Sequence, residues 1–191
     1  MGLEVYIREV RNQARFVELA WECLRSNRGK DDDRTWYSVQ ALLGAAANLS
    51  KLFKPPYPVL GSKEEKRVAF EFAEQRAAEL RQKFGVDDRY EILNRNVRNH
   101  FEHFDNRLDR WTQENSGAPS AFIDRLSPPP GQPTGRITHV NDKPTMKLRE
   151  LSFPWKATCF GDEMDLEILV AEVSKLSARA EELLNSEPTR P

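Results

Sequence analysis

Apolar residues recur along most of this chain at alternating steps of three and four, the spacing that lines one face of a helix. The first run is Leu3, Ile7, Val10, Ala14, Val17, Trp21 and Leu24. It predicts a helix that breaks over residues 26–33, where Gly29 suits a stop and the aspartates suit the cap and first turn of the next helix. A second helix is predicted from about Arg34 to Phe53, with Trp36, Val39, Leu43, Ala46 and Phe53 inward. Its small residues, Gly44 to Ala47, would let a neighbour approach closely, and Pro55, Pro56 and Pro58 end it. Ser62 followed by Glu65 reads as a capping box for a third helix. That helix should run to Phe84, turn Ala69, Phe72, Ala73, Leu80 and Phe84 inward, and close at Gly85. Asp87 or Asp88 is read as the cap of a fourth helix reaching toward Asn115, roughly 40 Å at ~1.5 Å per residue.

The helix period then disappears. Residues 127–135 hold four prolines and two glycines and form a surface loop. Short runs at 136–140, 146–151 and 157–160 fit strands better than helices. The period returns in Leu166, Leu169, Val173, Leu176, Ala180 and Leu183, a last helix expected to begin at 162–165. The fold class is therefore all-α: an antiparallel four- to five-helix bundle with a small irregular or β-hairpin insertion before the last helix. One domain spans 1–187, with the insertion at 127–161.

Composition narrows the picture further. The chain has 191 residues, 39% hydrophobic and 31% charged, enough for a real core under a strongly polar surface. Its net charge of −1 gives no global attraction to nucleic acid or anionic lipid, so any acidic ligand must meet a local patch. Cys23 and Cys159 alone make neither a disulfide framework nor a metal cluster, and Cys23 is expected to be buried near the first seam. No signal peptide or spanning run is apparent, so the expected location is the cytoplasm, away from membranes. Trp21, Trp36, Trp111 and Trp155 read as core or interface residues.

One stretch departs from the ordinary. Residues 94–111 contain His100 and His103, two of the three histidines; the other, His139, lies in the irregular region. On a helix, Leu93, Val97, Phe101, Phe104, Leu108 and Trp111 fall within roughly 80° of arc. Arg95, Asn99, Glu102, His103 and Asn106 lie opposite, a polar face of Arg, Asn and His in place of the usual Lys and Glu. Imidazole titrates near neutrality and can both accept and donate a proton; guanidinium holds a phosphate bidentately.

Arg-Asn-x-x-x-His occurs twice here, overlapping: Arg95-Asn96 with His100, and Arg98-Asn99 with His103. Such a motif on a helix of an all-α bundle resembles the HEPN family (higher eukaryotes and prokaryotes nucleotide-binding domains), and the second copy matches better. The resemblance implies metal-independent RNA cleavage in toxin–antitoxin or defence systems, by a homodimer that brings two motif helices together. Under it Arg98, Asn99 and His103 are the catalytic candidates, with Arg95, His100 and Glu102 as additional ones. No cofactor or metal is implied. The partners implied are a second copy, RNA or a nucleotide, and an antitoxin protein. Helix geometry agrees with a shared site, because Arg98 and His103 stand about 140° apart on one helix. Two other readings compete. One is a non-catalytic module that binds a nucleotide or partner protein. The other is a metal site built from His100, Glu102, His103 and Asp105, which lacks buried ligands from other helices.

Overall fold

The computed structural model describes residues 2–94, 99, 106, 109, 110, 113, 124–126, 149–152, 154–159 and 162–186. Helix α1 (Glu4–Asn27) buries Ile7, Val10, Ala14, Val17, Ala20 and Leu24, nearly the whole predicted seam. Cys23 is exposed rather than buried, because it lies about 100° round the helix from Leu24. The chain reverses at Gly29, whose φ of 75° favours glycine, and α2 (Asp32–Phe53) begins where Asp31 accepts the Arg34 N–H at 2.9 Å. With so short a connection the two helices run side by side in opposite directions. The buried face of α2 is wider than its stripe: Leu42, Ala45, Ala47 and Leu49 join Val39, Leu43, Ala46 and Phe53. Gly44 meets no neighbour within 4 Å, so the small-residue contact falls to Ala45–Ala47 without it.

Helix α3 (Lys63–Phe84) opens with the predicted capping box, Ser62 to the Glu65 N–H and Glu65 back to the Ser62 N–H. It closes on Gly85 at φ 67°, with the Val86 N–H reaching the Arg81 carbonyl at 3.0 Å. Only its C-terminal half enters the core, through Ala77, Leu80 and Phe84. Ala69 and Phe72 point outward instead of inward. Phe72 lies about 120° round the helix from Phe84, and no residue of the first three turns is buried. Phe84 meets Phe53 edge-on at 5.5 Å, which fastens α3 to the end of α2.

The last helix, α4 (Leu166–Ser186), buries Leu166, Leu169, Val170, Val173, Leu176 and Ala180 against the same core. It begins later than predicted. Asp162–Asp165 is a strand, and Asp165 caps the helix by accepting the Glu167 and Ile168 N–H groups at 3.0 and 3.1 Å. The sheet before it is larger than a hairpin and begins upstream of residue 127. Among the described residues it has four strands in the order β1 (Asp124–Leu126), β2 (Arg149–Ser152), β3 (Lys156–Cys159) and β4 (Asp162–Asp165). β1 joins β2 in parallel, and β2, β3 and β4 form an antiparallel meander. Leu151, Ala157 and Met164 stand opposite one another across these three strands and are all buried, so one face of the sheet completes the helical core. The proposed strand at 136–140 lies outside the described residues.

The turn between β2 and β3 is tied to α1. Trp155 packs edge-on against Trp21 at 4.9 Å, and the Arg28 guanidinium stands 4.3 Å over the Trp155 ring while donating to the Pro154 carbonyl at 3.1 Å. The Leu166 N–H also reaches the Trp155 carbonyl at 3.0 Å, so the sheet and α4 share one anchor.

Two glycines test these backbone assignments with opposite signs. Gly44→Ala should stabilise the protein by roughly 0.5–1 kcal/mol, because the site is helical and open. Gly85→Ala should destabilise it by about 1–2 kcal/mol, because a Cβ is strained at this positive φ. Urea unfolding of both variants gives the comparison, and two shifts of the same sign would contradict the assignment.

Candidate functional site

The motif stretch is reached through a short turn, not through the long helix the aspartates predicted. Asp87 spends its carboxylate on Arg89, accepting its backbone N–H at 2.9 Å and its guanidinium at 2.6 Å. That is a local turn rather than a helix cap. Glu91–Leu93 form one 3₁₀ turn, and Asn94 is extended at φ −68° and ψ 114°. The predicted helix therefore does not begin at Asp87 or Asp88. Leu93 belongs to the turn, where it and Ile92 are buried, and not to the helical stripe.

The reason for the turn is a carboxylate on α4. Glu172 accepts the backbone N–H of Glu91 at 2.9 Å and that of Ile92 at 3.0 Å. In a helix capped at Asp88 the Ile92 N–H would have gone to the Asp88 carbonyl. Here it is drawn to α4 instead. The Glu91 side chain in turn accepts from the Asn94 amide at 3.0 Å, so the last described residue before Arg95 is held by the same network. Beside it lies a small groove with Ala46, Ala47 and Ser50 of α2 on one wall, Ile92 and Asn94 on another and Met164 of β4 on a third.

Of the candidate residues, Asn99 is helical and half-buried. Arg95, Arg98, His100, Glu102 and His103 lie outside the described residues, as do Asp105, Trp111 and His139. Asn106, Asp109, Arg110 and Gln113 are helical and exposed. With Asn99 they span about 100° of a helix, on the side opposite the predicted apolar stripe. Asn99 is half-buried where the other four are exposed.

Sequence reading missed Glu172. Its one signal is angular: it falls about 20° from Leu183 and 40° from Leu176, on the border of the apolar stripe of α4. A charged residue there must either reach water or find donors. Burial pushes the Glu172 carboxyl above the usual glutamate range, and the two backbone N–H donors pull it back only in part. The neighbouring Glu91 also raises it, while Lys175 lowers it.

Among the described residues no three His, Cys, Asp or Glu side chains gather as a metal site would require, and no helix is long and apolar enough to cross a membrane. Comparison of the chain with protein-family models, with curated proteins and with solved structures finds no match. What defines the protein is its own architecture: a helical core closed by a small sheet, with one clamped turn leading into the motif stretch.

Because the folded-state value of Glu172 is raised, its contribution to stability is fully present below the ordinary value of 4.5 and is lost as pH rises through the raised value. The stability of wild type relative to Glu172→Gln should therefore fall as pH rises above about 4.5 and then level off. Urea midpoints of both proteins across this window provide the measurement. A difference that grows with pH would mean the hydrogen bonds outweigh burial.

Proposed function

We propose that the chain is a HEPN-like, metal-independent endoribonuclease of toxin or defence type, acting as a homodimer with Arg98, Asn99 and His103 at the site. The observation that carries this reading is the doubled Arg-Asn-x-x-x-His pattern of residues 95–103. The helical state of Asn99 and the exposed polar positions at 106, 109, 110 and 113 support a helix with an outward polar face. In the reaction, neutral His103 takes the proton of a ribose 2′-OH as that oxygen attacks the neighbouring phosphorus. The bond from phosphorus to the 5′-oxygen breaks, and an imidazolium returns the proton to the leaving oxygen. Arg98 stabilises the charge on the phosphoryl oxygens, and Asn99 orients the imidazole or the phosphate. The products are a 2′,3′-cyclic phosphate and a 5′-hydroxyl, with no redox change and no metal. Arg95, about 80° from His103 on the same helix, supplements Arg98, and His100 and Glu102 complete the polar edge.

A second reading keeps the face and removes the chemistry: a non-catalytic module holding a nucleotide or a partner protein such as an antitoxin. The net charge of −1 favours it, since proteins that grip long RNA usually carry an excess of positive charge.

The two readings separate on one assay. Wild type in EDTA should cut mixed RNA and leave 2′,3′-cyclic phosphate ends. His103→Ala and Arg98→Ala, shown to be folded, should each lose about 10²-fold or more of that rate. Cutting that survives in both variants would remove the motif from the mechanism. A folded dimer that cuts none of several RNAs would leave the binding module as the reading.

A further inference from the structure

We propose that Glu172 of α4 is a positioning residue for the motif stretch, holding the Glu91–Leu93 turn and with it the path by which the chain leaves Asn94 toward Arg95. The functional part of this inference rests on the reading of residues 95–103 as the site; the structural part does not. Three observations carry it. Glu172 accepts two consecutive backbone N–H groups, a geometry that fixes the orientation of the turn as well as its distance from α4. The turn is also seated on the core by the buried side chains of Ile92 and Leu93 and lies against α2 and α4, but among the described residues Glu172 is the side chain whose hydrogen bonds reach its backbone from another element. Asn94 is bonded through Glu91 to this same turn, and the next residue is Arg95, the first of the motif. Movement of the turn therefore moves the start of the motif stretch. A site that must place a guanidinium and an imidazole around one phosphate is sensitive to displacements of about 1 Å.

Glutamine can replace only half of this clamp. Each N–H meets its own carboxylate oxygen, so glutamine keeps an oxygen for one and turns a donating NH2 toward the other. Alanine removes both acceptors.

The test uses the full-length protein, wild type against Glu172→Gln and Glu172→Ala. Amide exchange at Glu91 and Ile92 should quicken roughly tenfold or more in Glu172→Ala, and at one of the two in Glu172→Gln. Exchange at Leu49 and Leu80 in the core, which reports global stability, should change by less than exchange at Glu91 and Ile92. The imidazole resonances of His100 and His103 should shift in both variants. Where the wild type cuts RNA, kcat should fall about tenfold or more with KM little changed, and Glu172→Gln should fall between wild type and Glu172→Ala. Unchanged exchange at Glu91 and Ile92, or unchanged resonances of His100 and His103 in a loosened turn, would overturn the positioning role. Absence of cutting by the wild type itself bears on the ribonuclease reading alone, because exchange and histidine resonances report the clamp without activity. Were Glu172→Ala to fail to fold, Glu172→Gln alone carries the comparison.

Discussion

The seam of α1 is the surface on which the rest of the protein is laid. Ile7, Val10, Ala14, Val17 and Leu24 are essentially inaccessible, and both α2 and α4 pack along that one helix. Each fully buried Val, Leu or Ile is worth about 1.5–3 kcal/mol, so the seam fixes two neighbours at once. The consequences run in series. α1 places α4, α4 places Glu172, and Glu172 places the Glu91–Leu93 turn. Arg28 and Trp21, at the other end of α1, hold Trp155 and with it the turn of the sheet. Met164, carried by that sheet, reaches the groove beside Asn94. Two separate routes from α1 thus converge just before the first motif residue.

Much of this was legible in the sequence because it is local. The three-four spacing named the buried residues of α1 and α4. Ser62 with Glu65, and Gly85 after Phe84, marked both ends of α3 by chemistry that acts within four residues. The failures share a different origin. Asp162–Asp165 has the composition of a helix start, yet it pairs with Lys156–Cys159 because Met164 aligns with Ala157 and Leu151 across the sheet. Asp87 and Asp88 look like caps, but the donors that follow them are claimed by Glu172, 81 and 80 residues further along. Phe72 faces outward because, among the described residues, the core is met only by the C-terminal half of α3, and no periodicity within α3 carries that information. The candidate site divides in the same way. Its motif is a string of adjacent letters, while its support is a single glutamate whose importance depends on what lies opposite.

An acidic chain and an RNA substrate are compatible if positive charge is concentrated where two copies meet. The stretch holds Arg95, Arg98, Arg107 and Arg110 against Glu102, Asp105 and Asp109, and in the proposed homodimer a two-fold axis would double that small positive excess. Such a cleft would attract phosphate locally without a large net charge on the whole chain. The charge balance therefore argues against a protein that tracks along extended RNA. Within the proposed reading, it favours a form that admits a short segment at a dimer interface.

The energetics of Glu172 bear on why a carboxylate stands at this position. A group placed for stability would have its ionised form favoured by its surroundings, as Asp87 has beside Arg89. Glu172 has the opposite balance: burial disfavours its charge by more than two backbone donors recover. An apolar residue at the border of the α4 stripe would avoid that cost and would pack against Ile92. It would also leave the Glu91 and Ile92 N–H groups without their acceptor, and the chain could resume the helix that Asp87 and Asp88 invite. The carboxylate is the side chain that forbids this continuation, since it binds both donors at once and bends the backbone to 3₁₀ geometry before the motif. Its value lies in the path it imposes on the chain, and that path leads directly into Arg95.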